Sequence, residues 1–121
     1  MSLPVWIAVG LLGGIGALVR FFVDGVVAAR TRHEFPLGTL VVNLSGAMLL
    51  GLLVGLAFTG NRLLLAGTAT LGSYTTFSTW MLETQRLVED GEAALAGANV
   101  LISLVVGVGA AALGRFIGAH V

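Results

Sequence analysis

The chain has 121 residues, of which 57% are hydrophobic and only 10% are charged, with a formal net charge of zero and no cysteine. A soluble domain carries about a quarter charged residues, so this composition, with a mean hydropathy of +1.02, indicates an integral membrane protein. Without cysteine there is no disulfide and no thiolate metal site. The segments between the apolar blocks are short, so we expect no enzyme, no nucleotide, haem or flavin site, and no nucleic-acid partner.

The charged residues lie between the apolar blocks rather than within them. Four charge-free runs cover residues 1–19, 35–61, 63–82 and 93–114. Each has about the length that an α-helix needs to cross a bilayer. We therefore predict an all-α membrane protein with one transmembrane domain over residues 1–121 and four spans at about 4–23, 36–59, 63–82 and 93–116.

Between the first two spans we predict a loop over residues 24–35. It contains Arg30, Arg32, His33 and Glu34, which we expect to be solvated. The second loop is predicted as a tight turn over residues 60–62.

Arginine counts give no firm orientation in the membrane. With four spans, the first and third loops carry three arginines, while the termini and the second loop carry two, Arg20 being left aside. The positive-inside rule therefore gives almost no bias. Either the protein simply has few arginines to count, or the chain inserts in both orientations and pairs antiparallel.

The third run has an unusual composition, because hydroxyl side chains are concentrated in residues 67–80. Unsatisfied polar groups in hydrocarbon cost several kcal/mol each. Gly72-Ser73, followed by Thr75-Thr76, also disfavours a continuous helix. We expect a broken third helix whose freed carbonyls suit Na⁺ or whose hydroxyls and aromatic edges suit a small anion. The alternative is a segment that only packs against other helices.

Arg20 and Asn43 are strongly polar side chains in the first and second predicted spans. Arg20, near the end of the first span, either anchors the helix at the interface or faces a wet cavity. Asn43, in the second span, either bonds a neighbouring helix or contacts a permeant species. Small residues at four-residue spacing predict close helix packing. They are Gly10 and Gly14 in the first span, Ala47, Gly51 and Gly55 in the second, and Gly107, Ala111, Gly114 and Gly118 in the fourth.

Three groups of residues together resemble the Fluc/CrcB family of fluoride channels. They are Gly13-x-x-Gly16-Ala17-x-x-Arg20-Phe21, Pro36-x-Gly38-Thr39-Leu40-x-Val42-Asn43-x-x-Gly46, and Gly72-x-x-Thr75-Thr76-Phe77-Ser78-Thr79 with Glu83. The resemblance runs from end to end, and the second and third groups in this order and spacing are highly specific. It implies a fluoride-specific ion channel in the cytoplasmic (inner) membrane of a prokaryote, which passively exports cytoplasmic fluoride and limits its toxicity.

The resemblance also implies an assembly and a set of site residues. The assembly is an antiparallel, dual-topology homodimer in the lipid bilayer, or a pair with a related second subunit. At its centre lies a structural Na⁺ that is not transported, held by the backbone carbonyls of Gly72 and Thr75 from each subunit. The implied fluoride pathway is lined by Asn43, Phe77, Ser78, Thr79, Trp80 and Arg20.

One departure from the family and two alternatives remain. The family usually has a second Phe where this chain has Trp80, and we expect conduction to survive because an indole keeps an electropositive edge. A small multidrug-type antiporter subunit has a similar size, but that class uses a Glu within its first span, where this chain has no acid before Asp24. A non-conducting packing subunit of a membrane complex is the other alternative.

Overall fold

The computed structural model describes residues 1–31 and 34–121, and that part of the chain is helical, with no strand. Helix α1 spans Leu3–Thr31, α2 Leu37–Gly55, α4 Ser78–Glu89 and α5 Ala93–Ala119. Between α2 and α4, residues 60–74 form α3 from three consecutive pieces, Gly60–Leu63, Leu64–Leu71 and Gly72–Tyr74. The predicted all-α class is confirmed. Helices α1, α2 and α5 are long and apolar enough to cross a membrane.

The middle piece of α3 is a π-helix, in which each turn is wider than in an α-helix. A side chain follows the same five-residue spacing, since the Thr70 hydroxyl donates to the Leu65 carbonyl, five residues earlier, at 2.7 Å. Short π segments inside helices occur frequently at functional sites. This one directly precedes the polar part of the segment.

Several predicted boundaries are wrong. Residues 24–31 continue α1 instead of forming a loop, because Ala28, Ala29 and Arg30 are strong helix formers. Helix α2 ends at Gly55 rather than near residue 59, since Ala57 takes a φ of 63° and turns the chain. The predicted turn at residues 60–62 instead begins α3. Arg32 and His33 lie outside the described residues.

Helices α2 and α5 pack through small residues, as their spacing predicts. A Cβ atom at Gly51 would overlap the Ala111 carbonyl, and one at Gly55 would overlap the Arg115 carbonyl. The paired positions advance together, so α2 and α5 run parallel. Gly114 and Gly118 of α5 meet the α2 backbone in the same way.

Helix α1 packs against α2 and α3 through other glycines. A Cβ at Gly16 would overlap the Thr70 carbonyl of α3, and one at Gly38 would overlap Asp24. In contrast, a Cβ at Gly10 or Gly14 would meet no atom within 4 Å, so this face of α1 has no partner among the described residues.

The outer surface of the helices is apolar. Large hydrophobic side chains such as Leu11, Leu18, Phe22, Val105 and Val108 are each more than 60% exposed. Such a surface suits a lipid environment and not water. The few fully buried side chains lie where the helices meet, and they include the polar residues Thr39 and Asn99.

Candidate functional site

The helical path is interrupted between α3 and α4. Thr75 is extended, with φ −80° and ψ 164°, and residues 75–77 are not helical. The N–H and the hydroxyl of Thr75 both donate to the Leu71 carbonyl, each at 3.0 Å, which closes the end of α3. The Thr76 hydroxyl accepts a hydrogen bond from the N–H of Thr79 at 3.2 Å, which caps the first turn of α4. Local side chains therefore satisfy part of the interrupted backbone.

The Asn43 side chain holds this interruption from the side of α2. Its Nδ2 donates to the Thr76 carbonyl at 2.9 Å, and its Oδ1 accepts from the Thr76 N–H at 2.8 Å. The amide thus bonds both backbone groups of one residue, as a neighbouring strand would. One Nδ2 hydrogen is left over for a further acceptor.

Arg20 approaches the same interruption from α1. Its guanidinium donates from Nη1 to the Thr75 carbonyl at 3.1 Å, and the side chain is half-buried. Arg20 therefore faces the interior of the helix bundle, and the interfacial anchor is the weaker of its two interpretations.

Several backbone groups at the interruption have no protein partner among the described residues. The Gly72 carbonyl accepts no backbone N–H. In a continuous α-helix it would accept the N–H of Thr76, but that N–H donates to the Asn43 side-chain oxygen instead. The N–H groups of Phe77, at the end of the interruption, and of Ser78 and Trp80, in the first turn of α4, likewise have no acceptor within the described chain. A free carbonyl and several free N–H groups therefore lie within a few residues of each other.

A cleft of about 490 Å³ opens beside the interruption, between α2, α3 and α5. We call it the aromatic cleft, because Phe77 and Trp80 line it together with Asn43, Gly72, Thr75 and Ser103. The two rings are nearly perpendicular, with centroids 5.7 Å apart and an interplanar angle of 82°. Phe77 is 70% exposed, so its ring projects from the surface of the single chain.

A second cleft, of about 610 Å³, lies between α1, α2 and α4. We call it the arginine cleft, and its lining includes Arg20, Asp24, Thr39 and Thr79. Thr76 lines both clefts, so the interruption forms the partition between them.

The predicted pathway residues are therefore divided. The structure brings Asn43, Phe77 and Trp80 to the aromatic cleft, and Arg20 and Thr79 to the arginine cleft. Ser78 is exposed and lies outside both linings. The predicted cation ligands Gly72 and Thr75 both border the aromatic cleft. Their roles stay predictions.

Glu83 follows the predicted third span and lines a smaller polar cleft of about 280 Å³. It accepts a short hydrogen bond of 2.5 Å from the Thr39 hydroxyl.

Sequence reasoning missed one polar cluster. The Trp80 indole N–H donates to the Asn99 carbonyl of α5 at 3.2 Å, and the Asn99 amide donates to the Thr84 hydroxyl at 2.8 Å. Asn99 is only 1% exposed. The sequence signal for this cluster was Asn99, an isolated Asn in an apolar span, together with Trp80 and Thr84, two hydrogen-bonding residues four positions apart in the preceding helix.

Comparison with known proteins identifies the family. The family model described as "CrcB-like protein, Camphor Resistance (CrcB)" matches residues 7–115, nearly the whole chain. The chain belongs to the CrcB family. A relative from Mycolicibacterium paratuberculosis, named fluoride-specific ion channel FluC 2, is 58% identical over 114 residues, which cover 94% of this chain and 93% of the relative.

Other CrcB relatives carry the same kind of name. Fluoride-specific ion channel FluC 2 of Mycobacterium tuberculosis (strain ATCC 25618 / H37Rv) is 55% identical over 97% of this chain and 93% of its own length. FluC 2 of Haloarcula marismortui is 45% identical over 85% of this chain and 87% of its own length. These relatives are named as ion channels and not as enzymes. With its apolar spans, this member of the family is a multi-pass membrane protein.

Proposed function

We propose that this protein is a fluoride-specific ion channel that passively exports cytoplasmic fluoride across the cytoplasmic membrane of a prokaryote and so limits its toxicity. The names of its relatives support the substrate. The single structural observation that carries the proposal is the interruption at residues 75–77, held by the Asn43 amide beside an aromatic cleft. Channels use such interruptions because unpaired backbone groups are tolerated in a membrane where they line a polar path.

The protein would cross the membrane four times, with α3, the interruption and α4 together forming a broken third span. The helix directions support this arrangement. Helices α2 and α5 run parallel, as the second and fourth spans of such a chain must. Along α1, Gly16 lies beside Thr70 and Arg20 beside Thr75, so the first and third segments also run in the same direction.

The groups at the interruption suit a small anion. Fluoride is strongly hydrated, and a path through the protein must replace its water donors with others. The free N–H groups in the first turn of α4 and the positive end of its dipole offer such replacement. The remaining Nδ2 hydrogen of Asn43 and the electropositive edge of Phe77 add donors at the wall of the aromatic cleft.

The working unit would contain two chains inserted antiparallel, either two copies or this chain with a related subunit. Gly72, Phe77 and Ser78 are exposed in the single chain, so the predicted path lacks a wall on that side. The α1 face with Gly10 and Gly14 has no partner within the described chain and permits close approach of another helix. The near balance of arginines across the membrane is compatible with insertion in both orientations.

A structural Na⁺ would lie between the two chains, held by the carbonyls of Gly72 and Thr75. The donor chemistry fits, since a hard cation prefers oxygen ligands and the Gly72 carbonyl has no hydrogen-bond partner in the described chain. The Thr75 carbonyl accepts a hydrogen bond from Arg20 and keeps a second lone pair. Two carbonyls per chain are too few for a cation site, so four from two chains are needed. The ion would hold the two interruptions together where the chains cross, because its positive charge attracts the carbonyl oxygens of both chains.

The proposed function is tested by replacing the exposed ring at the cleft. Phe77→Ile, expressed in a bacterium that lacks its own fluoride exporter, should leave the cells sensitive to fluoride, while the unmodified protein protects them. Phe116→Ile is the matched control, because Phe116 is also exposed, at 61%, but lies near the end of α5 away from both clefts. Equal protection by all three proteins would contradict a role for the Phe77 ring in the pathway, and no protection by the unmodified protein would support a non-conducting packing subunit instead.

A further inference from the structure

We propose that Thr84 and Asn99 are positioning residues that fix the orientation of the Trp80 ring at the wall of the aromatic cleft. The inference rests on the proposed function, since ring orientation matters to transport only if an anion passes this cleft. It assigns a role to two residues that do not line the cleft themselves.

The evidence is a closed circuit of hydrogen bonds between α4 and α5. The Trp80 indole N–H donates to the Asn99 backbone carbonyl at 3.2 Å, and the Asn99 side-chain Nδ2 donates to the Thr84 hydroxyl at 2.8 Å. That hydroxyl donates in turn to the Trp80 carbonyl at 2.8 Å. The circuit therefore begins and ends on Trp80, and it holds both its backbone and its ring.

The burial of Asn99 makes the circuit hard to replace. At 1% exposure its amide has no access to water, and a buried amide without a partner costs free energy. Removing the Thr84 hydroxyl would leave the Asn99 Nδ2 without its acceptor. A shift of α5 that brings this Nδ2 to another acceptor would also move the Asn99 backbone carbonyl, which accepts the indole N–H.

Ring orientation has a chemical consequence at this position. An aromatic ring attracts an anion with its edge and repels it with its face. The indole N–H is already bonded to α5, so Trp80 would present carbon edges and not its N–H to the cleft. Its nearly perpendicular contact with Phe77 means that a turn of one ring disturbs the other. The circuit thus decides which edge of the indole faces the cleft.

The first test is spectroscopic and uses the full-length protein in liposomes. The chain has two Trp residues, so Trp6→Phe leaves Trp80 as the only tryptophan. In this background, Thr84→Val removes the hydroxyl at nearly constant volume, and we expect lower emission anisotropy and a shifted emission maximum for Trp80. Thr84→Ser keeps the hydroxyl and should restore the original signal. An unchanged Trp80 signal in Thr84→Val would overturn the inference.

The second test separates positioning from simple helix packing. The loss of one hydrogen bond from the circuit in Thr84→Val should slow fluoride efflux by roughly twofold to tenfold. In a Trp80→Phe background the ring has no N–H to hold, and Thr84→Val should have little further effect on efflux. An equal loss in both backgrounds would mean that the circuit only packs the helices, which contradicts the inference. If the unmodified protein releases no fluoride, either alone or with a related subunit, the proposed function fails, and the Trp80 emission alone decides the positioning role.

Discussion

Asn43→Ala tests whether the α2 amide holds the interrupted backbone. The substitution leaves the N–H and the carbonyl of Thr76 without their partners at 2.8 and 2.9 Å. A buried polar group without a partner costs about 1–3 kcal/mol. Both residues are only half-buried, and water can enter from the two clefts, so we take the low end of that range, about 1 kcal/mol for each group and about 2 kcal/mol for the pair. Since 1.4 kcal/mol is a factor of ten, the held conformation should become about 30-fold less favoured.

The assay combines fluoride efflux with hydrogen exchange of the segment that contains Thr76. We expect slower efflux and about 30-fold faster exchange at the Thr76 amide, because its acceptor is gone. Ser45→Ala is the control: Ser45 is on the same helix and its hydroxyl lies 2.8 Å from the Tyr74 hydroxyl, but it lies outside the lining of the aromatic cleft. It should leave exchange at Thr76 nearly unchanged. Normal efflux and unchanged exchange in Asn43→Ala would refute the role of this amide.

Two further predictions concern packing and the cation. Gly46→Ala should destabilise the protein by about 1–3 kcal/mol, because its Cβ would overlap the Thr75 side chain. The control Gly97→Ala places a Cβ with no atom within 4 Å and should be neutral or stabilising. Thermal unfolding in detergent measures both variants, and equal midpoints would contradict the packing at the interruption. Replacing Na⁺ by K⁺ at the same ionic strength should reduce the dimer fraction and the fluoride efflux together, and no change in either would argue against a structural Na⁺ at the carbonyls of Gly72 and Thr75.

The sequence predicted the helical class and the polar segment because both depend on local composition. Charge-free runs report the apolar helices directly, and Gly72 with its hydroxyl neighbours marks a poor helix. The four-residue spacing of glycines such as Gly51 and Gly55 also predicted close helix packing, and the structure shows that both meet the α5 backbone.

Features that depend on tertiary contacts could not be predicted in the same way. The helical continuation of α1 to Thr31 was missed for another reason, because hydropathy ends a span where charges begin even though helix-forming residues continue. Asn43 could be recognised as important, but its pairing with the backbone of Thr76 depends on how two distant segments meet. The same holds for Asn99, whose partners lie on another helix. Each of these groups is paired by the fold and not by its neighbours in sequence.

The most direct test of the account is fluoride efflux from liposomes that contain this purified protein alone, measured with a fluoride electrode and repeated with chloride. We expect rapid release of fluoride with no release of chloride, which would establish a self-sufficient, selective channel that functions with Trp80 in place of Phe. Release of both anions at similar rates would contradict selectivity. No fluoride release from folded protein, either alone or reconstituted with a related subunit, would contradict the channel itself.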